Sequence, residues 1–187
     1  MSSPDEARTR GGAEGSSPPA STVVLALGSN LGDRLANLQR GVDLLVAEPG
    51  LRDVVVSPVY ETAPVGGPSQ PDYLNAVLVA VTALLPRAVL DRGRAAERAL
   101  RRVRGERWGP RTLDVDVIVY GDLVRADPDL TLPHPRAHER AFVLAPWHDV
   151  DHAAVIPGRG PVVDLLAAAG TDGIRRRDDA RLRAGTR

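Results

Sequence analysis

Two aspartates separated by one apolar residue are the side chains of this 187-residue sequence best suited to bind a divalent cation. Asp114 and Asp116 lie in an apolar, β-branched run that predicts a strand over residues 113–120. Because side chains alternate between the faces of a strand, both carboxylates are expected on one face, where they repel each other without a counter-charge or a metal. Magnesium suits such a pair, since it takes one or two carboxylates together with substrate phosphates. Taken alone, the pair fits two solvated acids on a surface strand better than a metal site.

Arginines are concentrated in the stretch before this aspartate pair. They are Arg101, Arg102, Arg104, Arg107 and Arg111. A guanidinium group forms paired hydrogen bonds with phosphate oxygens and keeps its charge at neutral pH. Glycine and proline residues end the preceding helix, so the later arginines are expected on a loop beside the carboxylates. Arg101 also fits a solvated helix end, but Arg102, Arg104 and Arg111 are predicted phosphate ligands, and with the aspartates they indicate a polyphosphate site.

Glycine-rich phosphate cradles are not a feature of this chain. Gly28 and Gly32 lie between a predicted strand and a predicted helix, but the third glycine of a dinucleotide-binding motif is missing. The sequence also has no P-loop motif. Arginine and metal are therefore the expected phosphate ligands.

Three residues are candidates for binding a flat heteroaromatic ring. Tyr73 and Asn75 share one face at the start of a predicted strand, and Phe142 is the only phenylalanine. Such a ring needs faces to stack on and an amide to pair with its mixed donor and acceptor edge. A lone Tyr or Phe is just as compatible with a place in the core.

The hydrophobic pattern predicts the elements that position these residues. It indicates strands at about 22–27, 54–59, 74–81 and 113–120, and helices at about 35–46 and from Pro86 to Val103. The order strand, helix, strand, strand, helix, strand predicts an α+β fold of the ferredoxin-like βαββαβ type, an antiparallel sheet with both helices on one face. Residues 122–170 are expected to add a C-terminal hairpin and short helices, including 162–169.

Both ends of the chain are predicted to be tails around one domain. Residues 1–21, rich in Ser, Pro and Gly, predict a disordered N-terminal tail, and residues 22–170 the domain. Residues 171–187, dense in Arg and Asp, predict a charged C-terminal tail. The connections 62–72 and 102–111 are longer than a compact fold requires, which is typical of functional loops.

Composition excludes several functional classes. Lys+Arg and Asp+Glu number 24 each, so no net positive charge attracts nucleic acid or an anionic membrane. The absence of cysteine excludes disulfides, thiolate catalysis and zinc–thiolate sites. No apolar stretch resembles a signal peptide or approaches the roughly 20 residues that span a bilayer. We expect a cytoplasmic monomer without nucleic-acid or membrane partners.

A non-catalytic RNA-binding module is the alternative from another class, because ferredoxin-like sheets with arginine-rich loops bind single strands. That function would require aromatic residues on the central strands and a net basic domain. The predicted strands are aliphatic and the chain is neutral.

Several segments together resemble the 6-hydroxymethyl-7,8-dihydropterin pyrophosphokinases. The matching motifs are GSNLG at 28–32, YET at 60–62 with Pro64, QPDYLNA at 70–76, RVR at 102–104, RWGPRTLDVD at 107–116 and LTLPHP at 130–135. They occur in the family's order from about residue 22 to 165. The resemblance implies transfer of the β,γ-pyrophosphoryl unit of ATP to the hydroxymethyl group of the reduced pterin, with release of AMP, in folate synthesis.

The resemblance also implies a role for individual residues. Asp114 and Asp116 match aspartates that hold two Mg²⁺ ions bridging the ATP phosphates. Tyr73 and Phe142 match the aromatics that sandwich the pterin, and Asn75 matches the residue that bonds its edge. A second pterin-contacting stretch comprises Thr62, Pro64 and Val65. The arginines that assist transfer are Arg102 and Arg111. The ATP side is implied to comprise Glu97, Arg104, Trp108, Thr131, His134 and Arg140. Every matched metal and ring position is intact, which argues against a member that has lost activity.

Overall fold

A six-stranded antiparallel sheet forms the middle layer of the computed structural model, which describes residues 19–64, 70–100 and 111–185. Its strands are β1 (Ser21–Ser29), β2 (Leu51–Val56), β3 (Val59–Thr62), β4 (Tyr73–Thr82), β5 (Asp114–Tyr120) and β10 (Ile174–Arg177). The strand order is β10-β3-β4-β1-β5, with β2 as a further partner of β4. The helices are α1 (Arg34–Ala47), α2 (Pro86–Ala99), α3 (Ala141–Val150) and α4 (Val162–Ala169). Two short hairpins join β6 (Arg125–Ala126) to β7 (Thr131–Leu132) and β8 (Val155–Ile156) to β9 (Gly160–Pro161).

The predicted βαββαβ order is confirmed, with one interruption. The second predicted strand is divided into β2 and β3 at Ser57 and Pro58. Pro58 has no N–H to donate to a neighbouring strand. Ser57 instead pairs with Val77 through its own backbone N–H, at 2.9 Å, and through its hydroxyl oxygen, which accepts from the Val77 amide at 2.8 Å.

Helices cover both faces of the sheet. α1 and α2 pack on one face, through buried residues such as Leu38 and Val89, against Leu25 and Val115 of the strands. This confirms the prediction that the first two helices share a face. α3 and α4 cover the other face, where Trp147 and Val162 belong to a second buried cluster. No helix in the described ranges is both long and apolar enough to cross a membrane.

The C-terminal segment is not the tail that its charge indicated. Ile174–Arg177 pairs with β3, and the segment then follows α1, where Ala180 is buried and Leu182 packs on the core. Gln39 on α1 exchanges two hydrogen bonds with the backbone of Arg183, each 2.9 Å long. The prediction was wrong for these residues because Arg175, Arg176 and Arg177 are paired with acids and because Ala180 and Leu182 supply apolar contacts.

Candidate active site

The two aspartates lie on β5 with the spacing expected of a strand. Val115 and Val117 between and after them are buried against α1 and α2. Asp114 and Asp116 therefore lie on the opposite face, where their side chains are 23% and 39% exposed. Carboxylate oxygens that are accessible in this way fit Mg²⁺, which takes its remaining ligands from water and phosphate oxygens.

Cationic side chains approach each carboxylate. The Arg111 guanidinium forms a salt bridge with Asp114. Arg140, at the start of α3, places Nη1 3.5 Å from Oδ2 of Asp116. The two carboxylates thus lie among groups that also bind phosphate.

His134 is a neutral hydrogen-bond donor beside Asp116. Burial, followed by the charge of Arg140, lowers the pKa of the imidazole to about 4. Nδ1 accepts a hydrogen bond from the Arg136 amide at 3.2 Å, so the single proton lies on Nε2, which is 3.8 Å from Oδ2 of Asp116. The His134 amide donates to the Ile118 carbonyl at 2.8 Å, which anchors the segment beside β5.

A cleft of about 210 Å³ opens next to this cluster. Its lining includes Asp116, Thr131 and His134 together with apolar residues such as Leu90 and Leu130. A partly apolar cleft that ends at a carboxylate and a histidine suits a nucleotide base with its phosphates directed towards Asp116.

Glu97 has a contact that the sequence did not indicate. It is buried on α2, and its Oε1 accepts a hydrogen bond from the Val115 amide at 3.0 Å. Val115 lies between the two aspartates, so this bond holds the backbone that carries them. Glu97 does not line the cleft, and its role on the ATP side stays a prediction.

The ring-binding candidates lie on the neighbouring strands. Asn75 is buried, and its Nδ2 donates to the Thr62 hydroxyl at 2.9 Å. A Cβ on Gly28 would lie 3.2 Å from Oδ1 of Asn75 and 3.8 Å from Cδ1 of Tyr73, so a side chain there would crowd both residues. Burial raises the pKa of the half-buried Tyr73, whose hydroxyl lies 3.4 Å from the Gln70 side-chain oxygen.

Phe142 lies in the first turn of α3 and packs at the edge of the second core cluster. The guanidinium carbon of Arg140 is 5.6 Å from the centre of its ring, a cation–π contact. One arginine therefore links the predicted stacking residue to Asp116. Pro64 is partly exposed at the end of a described range, and Val65, Arg102, Arg104 and Trp108 lie outside the described residues.

Strand register brings the two halves of the site together. Gly28 on β1 is paired with Asn75 on β4 and with Asp114 on β5. Paired residues of antiparallel strands share a face, so Asn75, Gly28 and Asp114 form one row on the face covered by α3. The predicted ring-binding amide and the first predicted metal ligand are thus separated by a single residue without a side chain.

A known protein family matches more than half of the chain. The family model described as 7,8-dihydro-6-hydroxymethylpterin-pyrophosphokinase matches residues 24–152. The chain belongs to this family. That membership confirms the resemblance seen in the motifs and assigns the chain to the pyrophosphate-transferring enzymes of folate biosynthesis.

Relatives from several bacteria carry the family's enzyme name, 2-amino-4-hydroxy-6-hydroxymethyldihydropteridine pyrophosphokinase. The protein of Mycobacterium tuberculosis is 48% identical over 160 residues, covering 78% of this chain and 82% of the relative. That of Mycobacterium leprae is 50% identical over 161 residues, covering 78% and 81%. That of Pseudomonas aeruginosa is 40% identical over 154 residues, covering 82% and 95%.

Solved structures of HPPK-DHPS proteins share the fold. One, determined in complex with substrates, has a TM-score of 0.65 at 11% identity and matches 84% of this chain and 47% of its own. The Plasmodium falciparum protein with pterin and p-hydroxybenzoate has a TM-score of 0.62 at 13% identity, matching 87% and 46%. The chain spans about half the length of these proteins, and the likeness concerns the fold alone.

Asn30 is a residue of the candidate site to which the sequence assigned no substrate contact. It is buried at the end of β1, where its Nδ2 donates to the Gln70 side chain at 2.9 Å and to the Pro71 carbonyl at 3.2 Å. Its Oδ1 accepts from the Arg111 amide at 2.6 Å. Asn30 therefore joins the segment before Tyr73 to the segment before Asp114. Its place in the GSNLG motif was the only feature of the sequence that pointed to a role for Asn30 in the site.

Proposed function

We propose that this chain transfers the β,γ-pyrophosphoryl unit of ATP to the hydroxymethyl group of 6-hydroxymethyl-7,8-dihydropterin, releasing AMP. The observation that carries the proposal is the row Asn75, Gly28 and Asp114 across three adjacent strands. Strands lie about 5 Å apart, so the row is about 10 Å long between its outer Cα atoms. A pterin bonded at Asn75 would extend over Gly28 towards the phosphates bound at Asp114.

Each substrate has its own side of the row under this proposal. Tyr73 and Phe142 would stack on the two faces of the pterin, while Asn75, Thr62 and the backbone at Pro64 and Val65 bond its edge. The ATP phosphates would lie towards Asp116, with the base in the cleft lined by Thr131 and His134. Glu97, Arg104 and Trp108 complete the predicted ATP side.

The chemistry we infer is an in-line displacement. The pterin hydroxyl oxygen forms a bond to the β-phosphorus, the bond between that phosphorus and the α,β-bridging oxygen breaks, and AMP leaves with the bridging oxygen. The hydroxyl proton passes to solvent or to a phosphate oxygen. Positioning and charge neutralisation supply the rate enhancement, so no strong base is required.

Arginine side chains neutralise the charge that develops during transfer. Arg111 and Arg140 already lie beside the carboxylates, and Arg102 is predicted to assist them. The neutral His134 donates its Nε2 proton towards the nucleotide rather than serving as a cation. Asp114 and Asp116 would hold two Mg²⁺ ions, which when bound supply neutralisation of the ATP phosphates.

An assay for AMP release with ATP, Mg²⁺ and the hydroxymethyl dihydropterin tests the proposal. We expect pterin-dependent AMP formation by the wild-type chain and a loss of at least about a hundredfold in Asp114→Asn. Asp127→Asn is the matched control, because Asp127 also forms a salt bridge with an arginine but lies in the β6–β7 connection. Full Mg²⁺-dependent activity in Asp114→Asn would show that the metal assignment is wrong.

The stacking role of Phe142 is tested by separate affinities. Phe142→Ala should weaken pterin binding about tenfold or more, with a much smaller effect on ATP. Equal losses for the two substrates would contradict the stacking assignment.

We also propose a cytoplasmic, monomeric enzyme without nucleic-acid or membrane partners. The neutral charge, the aliphatic strands and the absence of cysteine support this proposal. Sedimentation of the purified chain as a dimer, or salt-sensitive binding to single-stranded RNA, would contradict it.

A further inference from the structure

Three consecutive arginines on β10 divide between the two faces of the sheet. Arg175 and Arg177 form salt bridges with Glu61 of β3, the latter at 3.0 Å, on the face that carries α1. Arg176 lies on the other face, with Nη1 3.1 Å from Oδ2 of Asp149. The strand alternation therefore directs one guanidinium towards α3 and two away from it.

Asp149 joins three elements at one carboxylate oxygen. It lies near the end of α3, and the same Oδ2 that contacts Arg176 of β10 accepts a hydrogen bond from the Tyr60 hydroxyl of β3 at 2.9 Å. Burial and the bond to Asp149 raise the pKa of Tyr60 to about 12, so the phenol remains a donor. The Asp149 side chain is 23% exposed and that of Arg176 is 50% exposed, so water partly weakens the salt bridge between them.

Two of the three elements joined by Asp149, β3 and α3, carry predicted pterin contacts. Tyr60 is paired in register with Asn75, and Thr62, two residues along the same face of β3, accepts the hydrogen bond from Asn75. Phe142 lies in the first turn of the helix whose last turn carries Asp149. A shift of α3 relative to β3 would therefore change the separation between the stacking ring and the edge-binding amide.

We propose that Asp149, held by Tyr60 and Arg176, is a positioning residue that sets the pterin subsite by fixing α3 against β3. The assignment rests on the proposed function, because it concerns the affinity for the pterin. Asp149 itself would contact neither substrate. The cleft assigned to ATP is lined by residues of α2, β5 and the 128–135 segment, none of them on β3 or β10. The α3 helix reaches the ATP side only through Arg140 at its start, so the effect should be larger for the pterin than for ATP.

Binding measurements on adjacent arginines test the assignment. The pterin dissociation constant is measured by fluorescence with an ATP analogue that carries a methylene between its α- and β-phosphates, and the affinity for the analogue is measured separately. Arg176→Ala should raise the pterin constant about threefold, and Tyr60→Phe about threefold to tenfold, with a clearly smaller rise in the analogue constant. Arg175→Ala is the control, since it removes the same side chain from the same strand on the opposite face.

Unfolding in urea separates positioning from stability. Variants that are less stable than the wild type but bind the pterin equally well would overturn the assignment, as would equal losses for pterin and analogue. Asp149→Asn retains an acceptor for Tyr60 and should recover part of the affinity lost in Asp149→Ala. A wild-type chain that does not bind the pterin would overturn the proposed function and this assignment with it. A wild-type chain that binds, with variants that bind equally, would overturn the assignment alone.

Discussion

Replacing Asn30 with alanine is expected to lower both the stability and the catalytic efficiency of the enzyme. The side chain is 1% exposed. It makes three hydrogen bonds, two donated to Gln70 and Pro71 and one accepted from the Arg111 amide. These partners are 40, 41 and 81 residues away along the chain.

The size of the effect follows from those bonds. A neutral hydrogen bond contributes about 1 kcal/mol net, and a buried group left unpaired costs about 1–3 kcal/mol. Alanine leaves the Arg111 amide and the Pro71 carbonyl without their side-chain partner, so we expect a loss of about 3 kcal/mol in the free energy of unfolding. Arg111 and Tyr73 would also lose their fixed relative position. A displacement of about 1 Å in such groups lowers kcat/KM by up to about a hundredfold.

Asn37→Ala is the control for this experiment. Asn37 donates to the Leu31 carbonyl at 2.8 Å and to the Ser29 hydroxyl at 3.4 Å, both within eight residues along the chain. It should lose about 1 kcal/mol of stability and keep normal kcat/KM. Urea unfolding and the AMP assay give the two quantities. The reasoning is refuted if Asn30→Ala keeps wild-type kcat/KM, or if both variants lose activity to the same extent.

Three other perturbations have defined outcomes. Gly28→Ala places a methyl group 3.2 Å from Oδ1 of Asn75, so pterin affinity should fall about tenfold while ATP affinity holds, and unchanged pterin binding would contradict the row geometry. The pKa of His134 is about 4 in the folded chain, against an ordinary value of 6.5. As pH decreases, the unfolded chain therefore binds the proton first. The stability of the ligand-free protein should fall between about pH 6.5 and pH 4. The full difference is about 3 kcal/mol, and His134→Gln should remove that part of the pH dependence in urea titrations. Deleting residues 171–187 removes β10 and the packing of Ala180 and Leu182. The deletion should lower the free energy of unfolding by more than about 3 kcal/mol. A truncated chain of wild-type stability would contradict the packing of the C-terminal segment.

The sequence predicted the central fold because the hydrophobic periodicity of each segment matches the face that the segment buries. The β-branched runs that became β1, β4 and β5 are strongly apolar, and the helical spacing of Leu38, Val42 and Leu45 matches the buried face of α1. The aspartate spacing also predicted correctly that both carboxylates lie on one face of β5. These features depend on neighbours within a few residues, which is the range over which periodicity is informative.

The C-terminal segment shows where such prediction stops. Arg175, Arg176 and Arg177 looked like solvated charge because their partners, Glu61 and Asp149, lie far away in the sequence. The contacts of Asn30 and Glu97 could not be predicted from the sequence either, since each joins segments that are distant along the chain. Local pattern assigns an element, but it does not say which distant backbone group a buried amide or carboxylate will satisfy.

The salt bridges of the site explain how two neighbouring carboxylates coexist on one strand before substrate binds. Asp114 is balanced by Arg111, and Asp116 by Arg140 with the neutral His134 nearby. Under the proposed function each arginine exchanges a carboxylate for a phosphate, while each carboxylate exchanges an arginine for a cation. Every charged group then has a partner of opposite charge both before and after ATP binds. Binding therefore leaves few charged groups unpaired. The same arginines thereby stabilise β5 before ATP binds and are in place to bind its phosphates. The function of the aspartate pair therefore depends on residues that precede and follow it in the sequence.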